Sequence, residues 1–284
     1  MKRILLILMS VLMSISVFPQ ARGDDASGPM SLLAINVRKA DALLLRCGGS
    51  SYLIDTGEKK TADTLLDVLR AEGITRLNGV ILTHTHSDHT GALKALLQSE
   101  ITVDRIYASA YYVLKKEDGK HPIEKAVKKT GYSPDDVIWL KSGDTLPLDG
   151  GKLSVLGPLE KDEDTENCNS LVLLAEGGGG SILLTGDMEF PEESSLLNAG
   201  LIPRADVLKV GNHGEEDATS EALLNAVQPS YAVISTNSDD EPDTPHPRVL
   251  KVLSNWNVKV LVTQDTTTGV LVTLRDGKVE TELK

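Results

Sequence analysis

The sequence predicts an α/β fold: two strand-rich halves, each interleaved with helices, forming one domain behind an N-terminal leader. Three observations carry this. Short apolar runs bounded by Gly, Asp and Thr recur from Leu32 to Leu274, as strands do. Segments with leucines at helical spacing separate them, such as Leu65, Leu66 and Leu69, or Leu93, Leu96 and Leu97. Several of the apolar runs end on residue types that bind metals: Leu82 leads into Thr83-His84-Thr85-His86-Ser87-Asp88-His89, Leu184 into Thr185-Gly186-Asp187, and Val210 into Gly211-Asn212-His213.

Met1-Lys2-Arg3 is basic, Ile4 to Phe18 is an apolar run of 15 residues, and Ala21-Arg22-Gly23 supplies small residues before a cut. That order reads as a secretory signal peptide over residues 1–23, cleaved near Gly23, and implies export to the periplasm, the cell surface or the medium. The run is short of the roughly 18 apolar residues that a membrane span needs. An uncleaved anchor is the competing reading; after cleavage no span is expected. Residues 24–284 then form a single domain, uninterrupted by a Pro/Ser-rich linker or a charge block. Losing Lys2, Arg3 and Arg22 and no acid moves the net charge from −12 to −15. Such acidity argues against a broad footprint on nucleic acid, which needs clustered Lys and Arg, and favours a small-molecule or cell-surface substrate. Cys47 and Cys168 are the only thiols, and either a disulfide or two buried free cysteines suits that count.

In order, Leu32–Val37, Ala42–Cys47 and Tyr52–Ile54 read as strands, with Gly48-Gly49-Ser50 as a tight turn. Residues 61–71 form a helix, Val80–Leu82 the next strand, and 89–98 a helix whose N-terminus points back at the ligand loop. Ile101–Ala108 is a strand, and a helical insertion at 123–129 follows His121, which sits in a Lys-rich stretch and reads as a solvated surface residue. Val137–Leu140, Lys152–Leu156, Ser170–Ala175 and Ser181–Thr185 are strands of the second half. Gly177 to Gly180 closes a hairpin, since no Lys-Ser/Thr follows to make a phosphate loop. Tyr231–Ser235, Val258–Val262 and Val270–Leu274 are further strands, the last two completing the second sheet.

The chain has six histidines, and three of them, His84, His86 and His89, fall with Asp88 inside six residues. Imidazole nitrogen and carboxylate oxygen are ligands for borderline divalent ions such as zinc. His84 and His86 alternate towards one ion while Asp88 and His89 face another, so the spacing suits two.

At His84, His86, Asp88 and His89 the sequence resembles the metallo-β-lactamase superfamily, whose His-x-His-x-Asp-His signature it matches in full. Later motifs are similar to the ComEC-like branch, which includes a hydrolase domain attached to a DNA-uptake channel and secreted phosphorylcholine esterases. The resemblance, spanning Leu32 to Val272, implies a four-layer αββα sandwich of two mixed sheets. It implies two divalent ions, Zn2+ or alternatively Mn2+, with Asp187 bridging them and His213 joining Asp88, His89 and Asp187 around the second. It assigns Asp55 to bracing the ligand loop, with a plain turn as the alternative. His246 in Thr244-Pro245-His246-Pro247 becomes a group that touches the substrate or protonates the leaving group, with a helix-start histidine as the alternative. Three departures stand out. The usual Gly-x-Gly-Asp step is Arg38-Lys39-Ala40-Asp41; one of two adjacent histidines is Asn212; and Asn167-Cys168-Asn169-Ser170 stands where a third-motif His would complete the first site, leaving Cys168 or Asn169 as candidates for that position.

The chemistry so implied is hydrolysis: ions sharing Asp187 lower the pKa of a bound water from about 15.7 towards 7, and the resulting hydroxide attacks phosphorus or carbonyl carbon, with Asp88 and His246 as catalytic residues. An exported dinuclear phosphodiesterase is the leading reading. Hydrolysis of a lactone, thioester or β-lactam is the second, and a catalytically weak metal-dependent binding protein the third.

Overall fold

The computed structural model describes residues 28–113 and 121–284. The expected signal peptide, residues 1–23, lies outside the described residues. The first half supplies β1 (Met30–Ile35), β2 (Leu43–Cys47), β3 (Ser50–Ile54), β4 (Arg76–Leu77), β5 (Gly79–Leu82), β6 (Thr102–Val103), β7 (Ile106–Ser109) and β8 (Val137–Leu140). The second supplies β9 (Thr145–Leu148), β10 (Gly151–Gly157), β11 (Val172–Gly177), β12 (Gly180–Leu184), β13 (Val207–Lys209), β14 (Tyr231–Ile234), β15 (Lys259–Val262), β16 (Gly269–Arg275) and β17 (Lys278–Leu283). Two mixed sheets result, in the orders β17-β16-β1-β2-β3-β5-β7-β8 and β15-β14-β13-β12-β11-β10-β9, while β4 and β6 pair separately.

Period-two alternation sorts the side chains into three apolar layers. Leu32, Ala34, Leu43, Leu45 and Ile81 of one sheet meet Leu153, Leu173, Ile182, Leu184 and Val233 of the other. Their neighbours Leu33, Leu44, Leu53, Val80 and Leu82 face outward onto Leu65 and Leu69 of α1 (Ala62–Ala71), Leu93 and Leu96 of α3 (Leu93–Leu97) and Ile123 of α4 (Pro122–Val127). Leu174, Leu183, Leu208 and Ile234 face the opposite way, onto Leu196 of α5 (Phe190–Asn198), Leu223 of α6 (Glu221–Val227) and Val249 of α7 (Pro247–Asn255). Helix, sheet, sheet and helix therefore stack as the expected four-layer sandwich of mixed sheets.

Some expectations are corrected. Gly269–Arg275 does not complete the second sheet: it crosses over and pairs antiparallel with β1, Leu32 opposite Val272, which buries Val270, Val272 and Leu274 in the inter-sheet layer. Thr145–Leu148 is an unforeseen strand, confined to a sheet edge where Pro147 can be tolerated because no partner needs its missing donor. The helix expected over 89–98 is two short pieces, α2 (Ser87–Thr90) and α3, and so presents no extended helix dipole to the ligand loop. Between them Gly91 packs so tightly that a Cβ would lie 2.4 Å from the Lys59 nitrogen and the Ser87 carbonyl oxygen. His121 is buried rather than solvated, with its ring 4.0 Å from that of Tyr112 and 4.4 Å from that of Trp139. Burial pushes its pKa down to about 4, so it is a neutral packing group.

What this architecture does for function follows from strand direction. β3, β5 and β7 run parallel in the first sheet, and β12, β13 and β14 in the second. Their C-terminal ends release Asp55, the ligand loop, Asp187, His213 and Ser235 at the sandwich edge, as crevices beyond the carboxyl ends of parallel strands do in other α/β sheets.

Candidate metal centre

Asp88, His89, Asp187 and His213 offer one ligand atom each, all within 4.8 Å of one another. His89 Nε2 lies 3.1 Å and His213 Nε2 3.4 Å from Asp187 Oδ2, and His213 Nε2 lies 3.3 Å from Asp88 Oδ2. This is the set expected around a second ion. The first set is built beside it: His84 Nε2 is 3.8 Å from the same Asp187 oxygen, and the His86 ring packs edge-on against His84 with centroids 4.8 Å apart. Asp187 thus faces both sets, as a shared ligand must.

The tautomers follow from the hydrogen bonds behind each ring. His89 Nδ1 donates to Asp55 Oδ2 at 2.8 Å and His213 Nδ1 to the Ser235 carbonyl at 2.9 Å, so both Nε2 lone pairs face the carboxylates. Thr83 Oγ1 donates to Asp55 at 2.7 Å and so can only accept from His84 Nδ1, 3.1 Å away, which turns the lone pair of His84 Nε2 inward as well. Asp55 also takes the Thr83 amide at 2.8 Å and is the brace the resemblance implied. His213 is delivered by an unusual turn: Asn212, His213 and Gly214 all have left-handed φ, at 43°, 52° and 83°. Such a run is held for what it positions.

Electrostatically the centre is an acid–imidazole cluster out of water. Burial and the neighbouring His89 hold His84 well below its ordinary pKa, the neutral form a ligand needs. Burial opposes charge on His89 and His213 too, but the Asp187 carboxylate outweighs it: His89 is raised, with Asp55 adding to the effect, and His213 is pushed up to about 10. Burial disfavours ionised Asp187 and Asp88, yet those imidazoles keep both carboxyls below the ordinary range. A dication bound here would take the place of these protons. The fit is supported by three enclosed atoms that lack any hydrogen-bond partner, His84 Nε2, Asp187 Oδ1 and His213 Nε2, all of them metal-ligand types.

Neither candidate for the third-motif position points at the centre. Asn169 accepts from the Asp162 amide at 2.9 Å and donates to the Asp162 and Thr165 carbonyls, holding its own loop. Cys168 is a free, buried thiol whose Sγ is 3.9 Å from Glu189; burial pushes its pKa up to about 12, and it lines a separate cavity of about 160 Å³ with Pro158, Asp162 and Glu192. Cys47 is also free, so the two do not pair. Ser170 is the member of the segment that reaches the site: its Oγ lies 3.2 Å from His84 Nδ1 and accepts from the Asp187 amide at 3.1 Å, tying together ligands from the two sheets.

His246 stands apart from the cluster. It caps α7 by accepting the Arg248 amide on Nδ1 at 3.3 Å, and its own amide donates to the carbonyl of Gly214, the residue after His213, at 2.8 Å. Its Nε2 is 3.7 Å from Glu216 Oε2.

Two supporting residues escaped the sequence reading. Glu166 is buried and accepts from both the amide and the hydroxyl of Thr85, at 3.0 and 2.5 Å, fixing the residue between His84 and His86. No signal in the sequence marks it. Lys209 is wholly buried, with Nζ 2.7 Å from Asp41 Oδ2 and donating to the Val210 carbonyl at 2.9 Å. Asp41 in turn donates its amide to the Asp88 carbonyl at 3.2 Å. The available signal was one Lys inside the apolar run Val207 to Val210.

The sequence profile of the Metallo-beta-lactamase superfamily matches residues 35–238, and the chain belongs to that superfamily. It is 36% identical over 207 residues to ComE operon protein 3 of Bacillus subtilis, a match covering 73% of this chain and 25% of the relative. Recombination protein 2 of Haemophilus influenzae is 28% identical over 231 residues, covering 80% of this chain and 26% of the relative. The chain thus spans about a quarter of the length of these relatives. Among solved structures, the metallo-beta-lactamase fold protein YhfI of Bacillus subtilis aligns with a TM-score of 0.56 at 15% identity, covering 86% of this chain and 99% of that one, a likeness of fold.

Asp55→Asn tests the brace. An amide has one acceptor oxygen where Asp55 uses two, so it cannot accept from both the Thr83 amide and His89 Nδ1, and metal affinity is expected to fall roughly 10- to 100-fold, the scale for losing an outer partner of a ligand. Competition with a chromogenic chelator measures it; unchanged affinity would leave Asp55 only a structural role.

Proposed function

We propose that this superfamily hydrolase is an exported phosphodiesterase working with two divalent ions, zinc or manganese. One observation carries the metal part: the enclosed, partnerless His84 Nε2, Asp187 Oδ1 and His213 Nε2, gathered from both sheets. The phosphodiester part is supported by the ComEC-like motifs and by the lack of a third-motif histidine in Asn167-Cys168-Asn169-Ser170. The similarity to a protein named Recombination protein 2 makes nucleic acid one candidate; the net charge of −12 favours a small diester instead.

When bound, the ions acidify a water and polarise the bond under attack. Asp187 and the imidazoles fix the position of reaction, and burial of His84, His89, Asp187 and His213 excludes bulk water. Asp88, whose side chain is 27% exposed, opens onto solvent together with half-buried His86 and is placed to orient the attacking water. Since His246 Nδ1 accepts the Arg248 amide, Nε2 is the ring nitrogen left to hydrogen-bond the leaving oxygen.

The test is a substrate panel with the metal-loaded chain from Asp24 onward: a bis-aryl phosphodiester, DNA, a lactone and a cephalosporin. Turnover of the diester is the expected result. Turnover confined to the lactone or cephalosporin would replace the reading with the second one, and bound metal without turnover of any would favour a binding protein.

A further inference from the structure

We infer that Lys39 is the anion-binding residue of this site, the ammonium that receives a non-bridging oxygen of a phosphoryl substrate beside Asp88 and His213. The inference rests on the hydrolytic reading above and adds to it the group that recognises the substrate's charge.

Three loops close over the second-ion side of the centre. The loop after β1 reverses at Arg38, with φ at 69°, and returns to place the Asp41 amide on the Asp88 carbonyl. Lys39, between them, extends Nζ to 2.5 Å from Glu215 Oε1 and 3.9 Å from Glu241 Oε2. Glu215 lies two residues beyond His213, and its amide donates to the Asn212 carbonyl at 2.8 Å, so the ammonium sits next to the turn that delivers a ligand. Glu241 belongs to the third loop, which Arg38 ties down through a two-pronged contact with Asp240, both prongs at 2.7 Å.

The Lys39 side chain is 20% exposed, between the core and free solvent, at the same rim as Asp88. The carboxylates of that rim are Asp88, Glu215, Glu216, Asp240 and Glu241, and a substrate anion would be repelled by them unless a cation met it; of the other cations near Asp240, Lys60 is paired with Glu58 at 2.7 Å. The neighbouring guanidiniums are committed elsewhere, Arg38 to Asp240 and Arg248 to the carbonyls of Glu216 and Thr219. A part-exposed Lys–Glu pair contributes little to stability, so exchanging Glu215 for a phosphoryl oxygen costs little.

The test compares metal-loaded wild-type chain with Lys39→Gln, Lys39→Arg and Glu215→Gln. Affinity for inorganic phosphate is read by calorimetry, and KM and kcat on a bis-aryl phosphodiester by absorbance. Lys39→Gln is expected to weaken phosphate binding about tenfold, the scale of one charge-assisted hydrogen bond, and to raise KM similarly, with a much smaller change in kcat. Lys39→Arg restores most of the affinity, and Glu215→Gln tightens it by freeing the ammonium. Equal phosphate affinity in wild type and Lys39→Gln, or no phosphate binding by wild type, overturns the assignment. The two readings fail separately. Lys39-dependent phosphate binding without diester turnover would defeat the phosphodiesterase; turnover with a KM indifferent to Lys39 would defeat the anion-binding role alone.

Discussion

Asp187→Ala is expected to strip metal from the chain and abolish hydrolysis while leaving the sandwich folded. Its carboxylate is the group common to both ligand sets, 3.8 Å from His84 Nε2, 3.1 Å from His89 Nε2 and 3.4 Å from His213 Nε2. Removing it also removes the charge that raises the pKa of His89 and His213. Those rings then keep only Asp55, 2.8 Å from His89, and Asp88, 3.3 Å from His213, as counter-charges, and a dication beside them would lack the carboxylate common to both sets. Affinity should fall at least about 100-fold, beyond the roughly 10- to 100-fold expected when only an outer partner is lost. Elemental analysis after dialysis reads the metal, and circular dichroism confirms the fold. Full metal retention would mean that the carboxylate faces a satisfied polar cluster and nothing more.

Lys209→Met is expected to produce the largest loss of stability. Among the described residues Lys209 is the largest side chain buried to completeness, and its ammonium lies 2.7 Å from the carboxylate of Asp41, itself inaccessible to solvent. Methionine nearly fills the space but leaves a carboxylate alone in an apolar interior. Breaking a buried pair in this way costs about 3–5 kcal/mol, or roughly 10 °C in Tm for a domain of this size. Asp41→Asn combined with Lys209→Met removes both charges and should recover much of the loss, since a neutral pair carries no ionic desolvation penalty. A single-mutant loss below about 1 kcal/mol would show the pair to be hydrated rather than buried. The pair also bears on the centre: the Lys209 carbonyl accepts from the Thr185 hydroxyl at 2.7 Å, two residues before Asp187, while Asp41 holds the Asp88 carbonyl. The ammonium therefore spans the strand ends of both sheets directly behind the ligands.

The candidate cluster was legible because its residues are local in sequence. His84, His86, Asp88 and His89 are near neighbours, and Asp187 and His213 each follow an apolar run that could only be a buried strand. The layered fold was legible for a related reason, since period-two alternation divides Leu32 from Leu33 and Ile182 from Leu183 before any partner is known. What was hidden depends on which distant segments meet. Nothing local says that Val272 will pair with Leu32 rather than extend the sheet begun by Val260, because an apolar strand suits either edge. His121 was misjudged because its Lys-rich surroundings outweighed the two aromatic rings, Tyr112 and Trp139, that fold around it. Cys168 and Asn169 drew attention by residue type, yet Ser170, chemically the plainest of the three, carries the hydrogen bonds to His84 and Asp187.

The most direct test of the convergent metal centre is the stoichiometry of divalent metal bound by the purified chain, measured by elemental analysis after saturation and gel filtration. About two ions per chain, falling sharply in Asp187→Ala, is the predicted result, in keeping with ligands drawn from both sheets onto one carboxylate. No retained metal in the wild type, or the same content with and without Asp187, would contradict the account.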